Sequence, residues 1–174
     1  MSESSELGAA NHDGRGLRIG IVAARFNAEV VDRLIETARE ELERLGVRSE
    51  DVLLLRVPGA FELPIAAQAL LRSAAPPDAV ICLGAVVKGE TPHFDFVAGA
   101  AATGILQVGL DTGRPVIFGV LTTNTMAQAQ ERADGTYRRG ADAARDAVEM
   151  ARLLASPGLA TAMPARIGDT LATR

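Results

Sequence analysis

The regular alternation of short aliphatic runs with longer amphipathic segments predicts a three-layer α/β/α domain, with a mainly parallel four-stranded sheet between helical layers. Three observations carry this. Four strand-length apolar runs are each followed by a segment of helical period. One of those runs, Ala79 to Val87, is unbroken in apolarity apart from Gly84, as a strand covered on both faces requires. Of 174 residues, 48% are hydrophobic but only 3% aromatic, an aliphatic, alanine-rich composition that packs helices closely.

The elements follow in order. Residues 1–16 are polar, with Gly14 and Gly16 close together, and read as a flexible tail. Leu17 to Ala23 is the first strand. Asn27 then caps a helix with Val30, Val31, Leu34, Ile35, Ala38, Leu42 and Leu45 on one stripe, stopped by Gly46. Val52 to Val57 is the second strand, followed by a helix from about Glu62 to Arg72. After the third strand, Ala79 to Val87, a helix runs from about His93 to Leu110. Pro115 to Leu121 is the fourth strand, and two helices fill Asn124 to Ala133 and Arg138 to Ala155. From Ser156, Pro157, Gly158, Pro164 and Gly168 interrupt any period, so 156–174 reads as a second flexible tail. The domain is therefore expected over 17–155.

Composition excludes several functions. Eighteen basic residues against 22 acidic ones leave a net charge of −4 with no basic stripe, which argues against nucleic-acid binding. Cys82 is the single cysteine, so neither an intrachain disulfide nor a cysteine-based metal cluster is available. No His/Cys/Asp/Glu spacing suggests a metal site. The start, Met-Ser-Glu-Ser-Ser-Glu, is unlike a signal peptide, and no apolar run is long enough to cross a bilayer. The expectation is a cytoplasmic protein without membrane contact.

In a parallel sheet, ligands bind beyond the carboxyl ends of the strands. Those ends read Arg25-Phe26-Asn27, Val57-Pro58-Gly59-Ala60-Phe61-Glu62, Lys88-Gly89-Glu90-Thr91-Pro92-His93 and Thr122-Thr123-Asn124-Thr125. His93 is the one imidazole expected on the folded body, and imidazole suits proton transfer near neutral pH. The plainer alternative is a helix-start residue bonded to Asp95. Phe26 either stacks on a planar heterocycle or plugs the end of the sheet. Glu62 either grips substrate hydroxyls or sits where a helix dipole favours a carboxylate. Gly89, Glu90 and Thr91 precede a helix whose unpaired N–H groups suit an anion. Arg132, at a helix end, acquires interest only with a phosphate nearby. Phe118, within the fourth strand, reads as core. Neither a Walker nor a dinucleotide fingerprint follows any strand.

Taken together these strings resemble the lumazine synthase family. The likeness is carried by Arg25-Phe26-Asn27, by Val57 to Pro64 and by Gly84 to Asp95. It continues through Pro115 to Thr123 and Gln130-Glu131-Arg132-Ala133, and spans about Leu17 to Leu154 in unbroken order. The resemblance implies a flavodoxin-like fold with strand order 2-1-3-4. It implies condensation of 5-amino-6-(D-ribitylamino)uracil with 3,4-dihydroxy-2-butanone 4-phosphate to 6,7-dimethyl-8-ribityllumazine, releasing phosphate and water, with no metal or organic cofactor. It assigns Phe26 to the pyrimidine, and Ala60, Phe61 and Glu62 to the ribityl chain. Ala85, Val86 and Val87 would offer backbone contacts to the pyrimidine. Glu90, Thr91 and Arg132 would hold the butanone phosphate, and His93 would shuttle protons. Phe118 would reach the ring from a neighbouring subunit, reversing the core reading.

The resemblance further implies a homo-oligomer built on pentamers, a 60-subunit capsid as its larger form, and riboflavin synthase as a candidate partner. One argument for self-association is independent of it. Val97 to Leu106 has almost no polar face, and a single sheet covers only one side of such a helix. One departure from the family pattern stands out. Where many relatives carry a lysine in an Asn-Lys-Gly string, this chain has Arg138-Arg139-Gly140, after a short connection from Ala133 that resembles capsid-forming relatives. The rival readings are a non-catalytic flavodoxin-like module binding a flavin or sugar phosphate, and a shell or carrier protein without catalysis.

Overall fold

The computed structural model describes residues 9–162. Four strands, β1 (Ile19–Ala24), β2 (Val52–Val57), β3 (Ala79–Val87) and β4 (Val116–Thr123), form one sheet in the order β2-β1-β3-β4, every pair parallel. The helices are α1 (Ala28–Arg44), α2 (Leu63–Leu71), α3 (His93–Thr112), α4 (Met126–Asp134), α5 (Arg139–Leu154) and the short α6 (Pro157–Ala162). α1, α4 and α5 pack on one face of the sheet, α2 and α3 on the other. This is the three-layer arrangement that the alternation predicts, with the flavodoxin-like strand order that the resemblance implies.

Each layer follows from side-chain size and period. α1 buries Val30, Val31, Leu34, Ile35, Ala38 and Leu42 along one stripe and ends where Gly46 takes a φ of 92°. α5 faces it with alanines, and its Gly140 backbone comes so close that a Cβ there would lie 2.1 Å from the Leu34 carbonyl oxygen. β3 lies between β1 and β4 and is buried from Ala79 through Ala85. Within it, burial pushes the Cys82 thiol up to about 12, which leaves an inert side chain rather than a nucleophile.

The strands differ in length, and this shapes the carboxyl edge. β1 pairs with β3 only as far as Ala23↔Leu83, whereas β4 stays paired to Val87↔Thr123. Beyond Leu83, β3 therefore has no strand beside it on the β1 side. The fourth strand also runs two residues past the expected Leu121, because those residues pair with Val86 and Val87.

Three expectations change. The tail expected through Gly16 is fastened to the body from His12 onward. The Arg152 guanidinium donates to the Asp13 and Arg15 carbonyls, both at 2.6 Å, and Gly14 N–H donates to Leu45 O at 2.7 Å. His12 Nε2 lies 2.9 Å from Glu149 Oε2, so the body carries a second imidazole. The segment expected as a tail after Ser156 holds α6 through Ala162. The remaining tail residues, 1–8 and 163–174, lie outside the described residues. Finally, Asn27 occupies the N-cap position without capping: its φ is 55°, and its side chain makes no cap bond. The Nδ2 group instead donates to Ala85 O at 2.8 Å, tying the β1–α1 loop to β3.

Candidate active site

Because all four strands are parallel, their carboxyl ends share one edge, and ten of the expected site residues lie on it. The β1–α1 loop is clamped to the end of β2, with Arg25 N–H donating to Val57 O at 2.8 Å and Phe26 N–H to Pro58 O at 3.1 Å. This presents Phe26 with 71% of its surface exposed. A ring held in water by a fixed backbone does not plug the end of the sheet. Next to it, a 3-10 turn over Ala60–Glu62 leads into α2. Glu62 Oε2 accepts the Gly59 N–H at 2.9 Å and so braces the turn, while Phe61 is exposed beyond it. Ala60 is buried beneath.

β3 supplies the middle of the edge. The Ala85 carbonyl accepts from Asn27, which shows that Ala85 directs its backbone groups toward the β1 side. Val87 shares that direction through the two-residue period, whereas Val86 turns to β4. Past the end of β1, Val87 therefore offers an amide and a carbonyl with no strand to pair with. Lys88 N–H donates to Thr123 O at 2.8 Å and anchors the start of the following loop. Glu90 and Thr91 are exposed on that loop, and His93 is the exposed first residue of α3. Among the described residues no hydrogen bond joins His93 to Asp95, so the helix-start pairing finds no support. His12, by contrast, is held at Glu149, which lines a groove with Val116 and Ile117 at the amino end of β4.

Phe118 and Arg132 lie elsewhere. Phe118 is 44% exposed on β4, the outermost strand, which corrects the core reading. It lines a cavity of about 290 Å³ together with Arg132, Arg139, Asp142 and Asp146, and this cavity includes none of Phe26, Phe61, Glu62, Glu90 or His93. Asp146 is raised above the usual carboxylate range by partial desolvation and by its neighbours Asp142 and Glu149. Arg138 is committed to Glu40 at 2.5 Å, outside the cavity. Arg139, one position on, is thus the second guanidinium beside Arg132.

None of the chain's six aromatics, five Phe and one Tyr, belongs to the core. Phe94 is half-buried and the other five are exposed. Among the described residues no cluster of His, Cys, Asp and Glu could hold a metal ion, and no helix is long and apolar enough to cross a membrane.

Residues 16–155 match the family model of 6,7-dimethyl-8-ribityllumazine synthase. A 6,7-dimethyl-8-ribityllumazine synthase of Paraburkholderia phytofirmans is 55% identical over 143 residues, covering 82% of this chain and 83% of the relative. That of Cupriavidus metallidurans is 52% identical over 145 residues, covering 83% of each chain. The Thermus thermophilus protein of the same name is 50% identical over 141 residues, or 80% of this chain and 89% of the relative.

Proposed function

The chain belongs to the 6,7-dimethyl-8-ribityllumazine synthase family, a transferase of riboflavin biosynthesis, and from that premise we propose how its residues divide the work. Phe26 stacks on the pyrimidine of 5-amino-6-(D-ribitylamino)uracil, and the backbone of β3 over Ala85–Val87, where the Val87 amide and carbonyl face no strand, bonds its edge. Phe61 and the Gly59–Glu62 turn hold the ribityl chain, with the second Glu62 oxygen accepting from its hydroxyls. Glu90, Thr91 and Arg132 receive the butanone phosphate.

The chemistry needs proton transfer and a clamp on the leaving group. The substrate amine adds to the ketone, and loss of water gives a Schiff base. Elimination expels phosphate, and ring closure releases water. His93 moves the protons of these steps, and Arg132 takes up charge on the departing phosphate. Holding two substrates in register supplies much of the rate. The observation that carries this reading is the carboxyl edge itself: an exposed Phe26, unpaired β3 backbone and His93 at the start of α3 lie along one rim. Incubation with both substrates tests it, through the lumazine absorbance and release of phosphate in equal amounts. Binding of either substrate without product would favour the non-catalytic module instead.

The active site is completed between copies of the chain in a homo-oligomer, for which the family resemblance implies pentamers, alone or assembled into a capsid. Two features support self-association. Phe118 and Arg132 share a cavity that holds none of the edge residues, so a second copy is needed to bring the halves together. In addition, α3 buries only Ala101, Ile105 and Val108 against its own sheet, leaving Phe96, Leu106 and Leu110 in water. Such a face calls for a partner. Native mass measurement checks the assembly, and a monomer that turns over both substrates would overturn the shared site.

A further inference from the structure

Arg132 has no carboxylate within ion-pair distance among the described residues; its one hydrogen bond is a long one, 3.4 Å, to the Gln128 carbonyl. Arg139 is held only by an outer contact, 3.2 Å to Asp142, whose carboxylate is shared with Arg145. Two guanidiniums lining one cavity repel each other, and long side chains lose much rotamer freedom when held in one place. Asp142 and Asp146, in the same cavity, offset part of the repulsion, but neither touches Arg132. The Tyr137 ring touches both: the guanidinium carbon of Arg132 lies over it at 5.5 Å from the centroid, and that of Arg139 at 5.4 Å. Both distances are within the range at which an aromatic face attracts a cation, and the weakly hydrated guanidinium suits such stacking.

We propose that Tyr137 is a positioning residue for substrate phosphate, its ring holding Arg132 and Arg139 together as a dicationic receptor on the β4 side of the cavity. This rests on the assignment of Arg132 to the butanone phosphate. It adds a determinant of affinity that touches neither substrate nor reacting atoms. A dianionic phosphate meets two guanidiniums already gathered, so less ordering is left for the moment of binding. The ring is the active feature. Among the described residues no group hydrogen-bonds the Tyr137 hydroxyl, and the side chain is half exposed, so its replacement leaves the core untouched.

Steady-state kinetics of Tyr137→Leu, Tyr137→Phe and Arg132→Ala, with each substrate varied in turn and inorganic phosphate as inhibitor, test this. Tyr137→Leu is expected to raise KM for the butanone phosphate about three- to tenfold, with the inhibition constant of inorganic phosphate rising in parallel. The KM for the pyrimidine and kcat should stay within about twofold. Tyr137→Phe, which keeps the ring, should restore both phosphate readouts. An unchanged KM for the butanone phosphate in Tyr137→Leu, an equal rise for both substrates, or a failure of Tyr137→Phe to rescue would each overturn the proposal. Arg132→Ala separates the two levels of inference. If it weakens the phosphate substrate selectively while Tyr137→Leu does not, only the positioning role falls. If it has no phosphate-selective effect, the underlying assignment falls and the positioning role with it.

Discussion

Two damaged chains, each missing a different half of the site, should repair one another. His93→Ala removes the imidazole from the carboxyl edge, and Arg132→Ala removes a guanidinium from the cavity beside β4. If each site takes His93 from one subunit and Arg132 from its neighbour, an interface is intact only when the Arg132→Ala chain supplies the edge and the His93→Ala chain supplies the cavity. With equal, random mixing, each position is filled by the required chain half of the time. About one interface in four is then wild type, whatever the size of the ring. The parents should lie far lower. Loss of general acid–base catalysis costs His93→Ala about 10²-fold. Loss of a charge-assisted contact costs Arg132→Ala about 10- to 100-fold when the butanone phosphate is kept below its KM. The chains are unfolded, mixed, refolded together and assayed by lumazine absorbance, with native mass measurement to establish mixed assemblies. Mixed assemblies no more active than the average of their parents would put both residues in one subunit's site.

Three further expectations concern single residues. His93→Gln should lower kcat by about 10²-fold with small changes in either KM; an unchanged kcat would remove His93 from the proton transfers. Asn27→Ala should destabilise by about 2–3 kcal/mol, since it loses the bond to Ala85 O and puts an alanine at a φ of 55°, whereas Asn27→Gly, which tolerates that φ, should cost about 1 kcal/mol. Urea unfolding that reverses this order would refute the account. Glu41 is buried between α1 and α5, and its hydrogen bond from Arg44, with a second from Arg145, lowers it from 4.5 to about 2. Its folded pKa is below its unfolded one, so the stabilisation is full above about pH 4.5 and is lost as pH falls toward about 2. Glu41→Gln should cost about 2 kcal/mol near neutrality, less than the whole separation because both arginines are partly in water, and almost nothing at pH 2. Thermal melting of the two proteins at both pH values checks this.

What the sequence made legible is what depends on near neighbours. Period and punctuation set β2 at Val52–Val57 and β3 at Ala79–Val87 to the residue, because apolar runs and the turns that bound them are local facts. The position of the edge was legible for the same reason: parallel strands put their carboxyl ends together, and polar or glycine-bearing loops follow each one. Asn27 was legible as a helix start but not as a tether, because its partner Ala85 is 58 positions away and a capping asparagine looks no different in one dimension. His12 was misread in the same way, its partner Glu149 being 137 positions distant. The choice between Arg138 and Arg139 needed a backbone angle. Arg138 sits at a φ of 43° and reaches Glu40, which leaves its neighbour to the cavity.

Phe118 shows a different limit. Periodicity tells which residues of a strand alternate, but not whether another strand or helix covers the outermost one. Among the described residues no strand lies beyond β4, and Phe118, in an apolar run, is left 44% exposed. A compositional signal was nevertheless present. With alanine and branched aliphatics filling both cores, the few rings were not needed for packing, and their positions after β1, after β2, within α3 and on the outer strand already lay where a ligand or another subunit would find them. In a protein of 3% aromatic content whose core holds no ring, the exposed rings mark the surfaces to test for a ligand or a second copy. Phe26 and Phe61 lie at the carboxyl edge, Phe96 on the exposed face of α3, Phe118 on the edge strand β4 and Tyr137 beneath two guanidiniums. The fold and the site thus use different residue classes, and for that reason aliphatic periodicity predicted the first while revealing only part of the second.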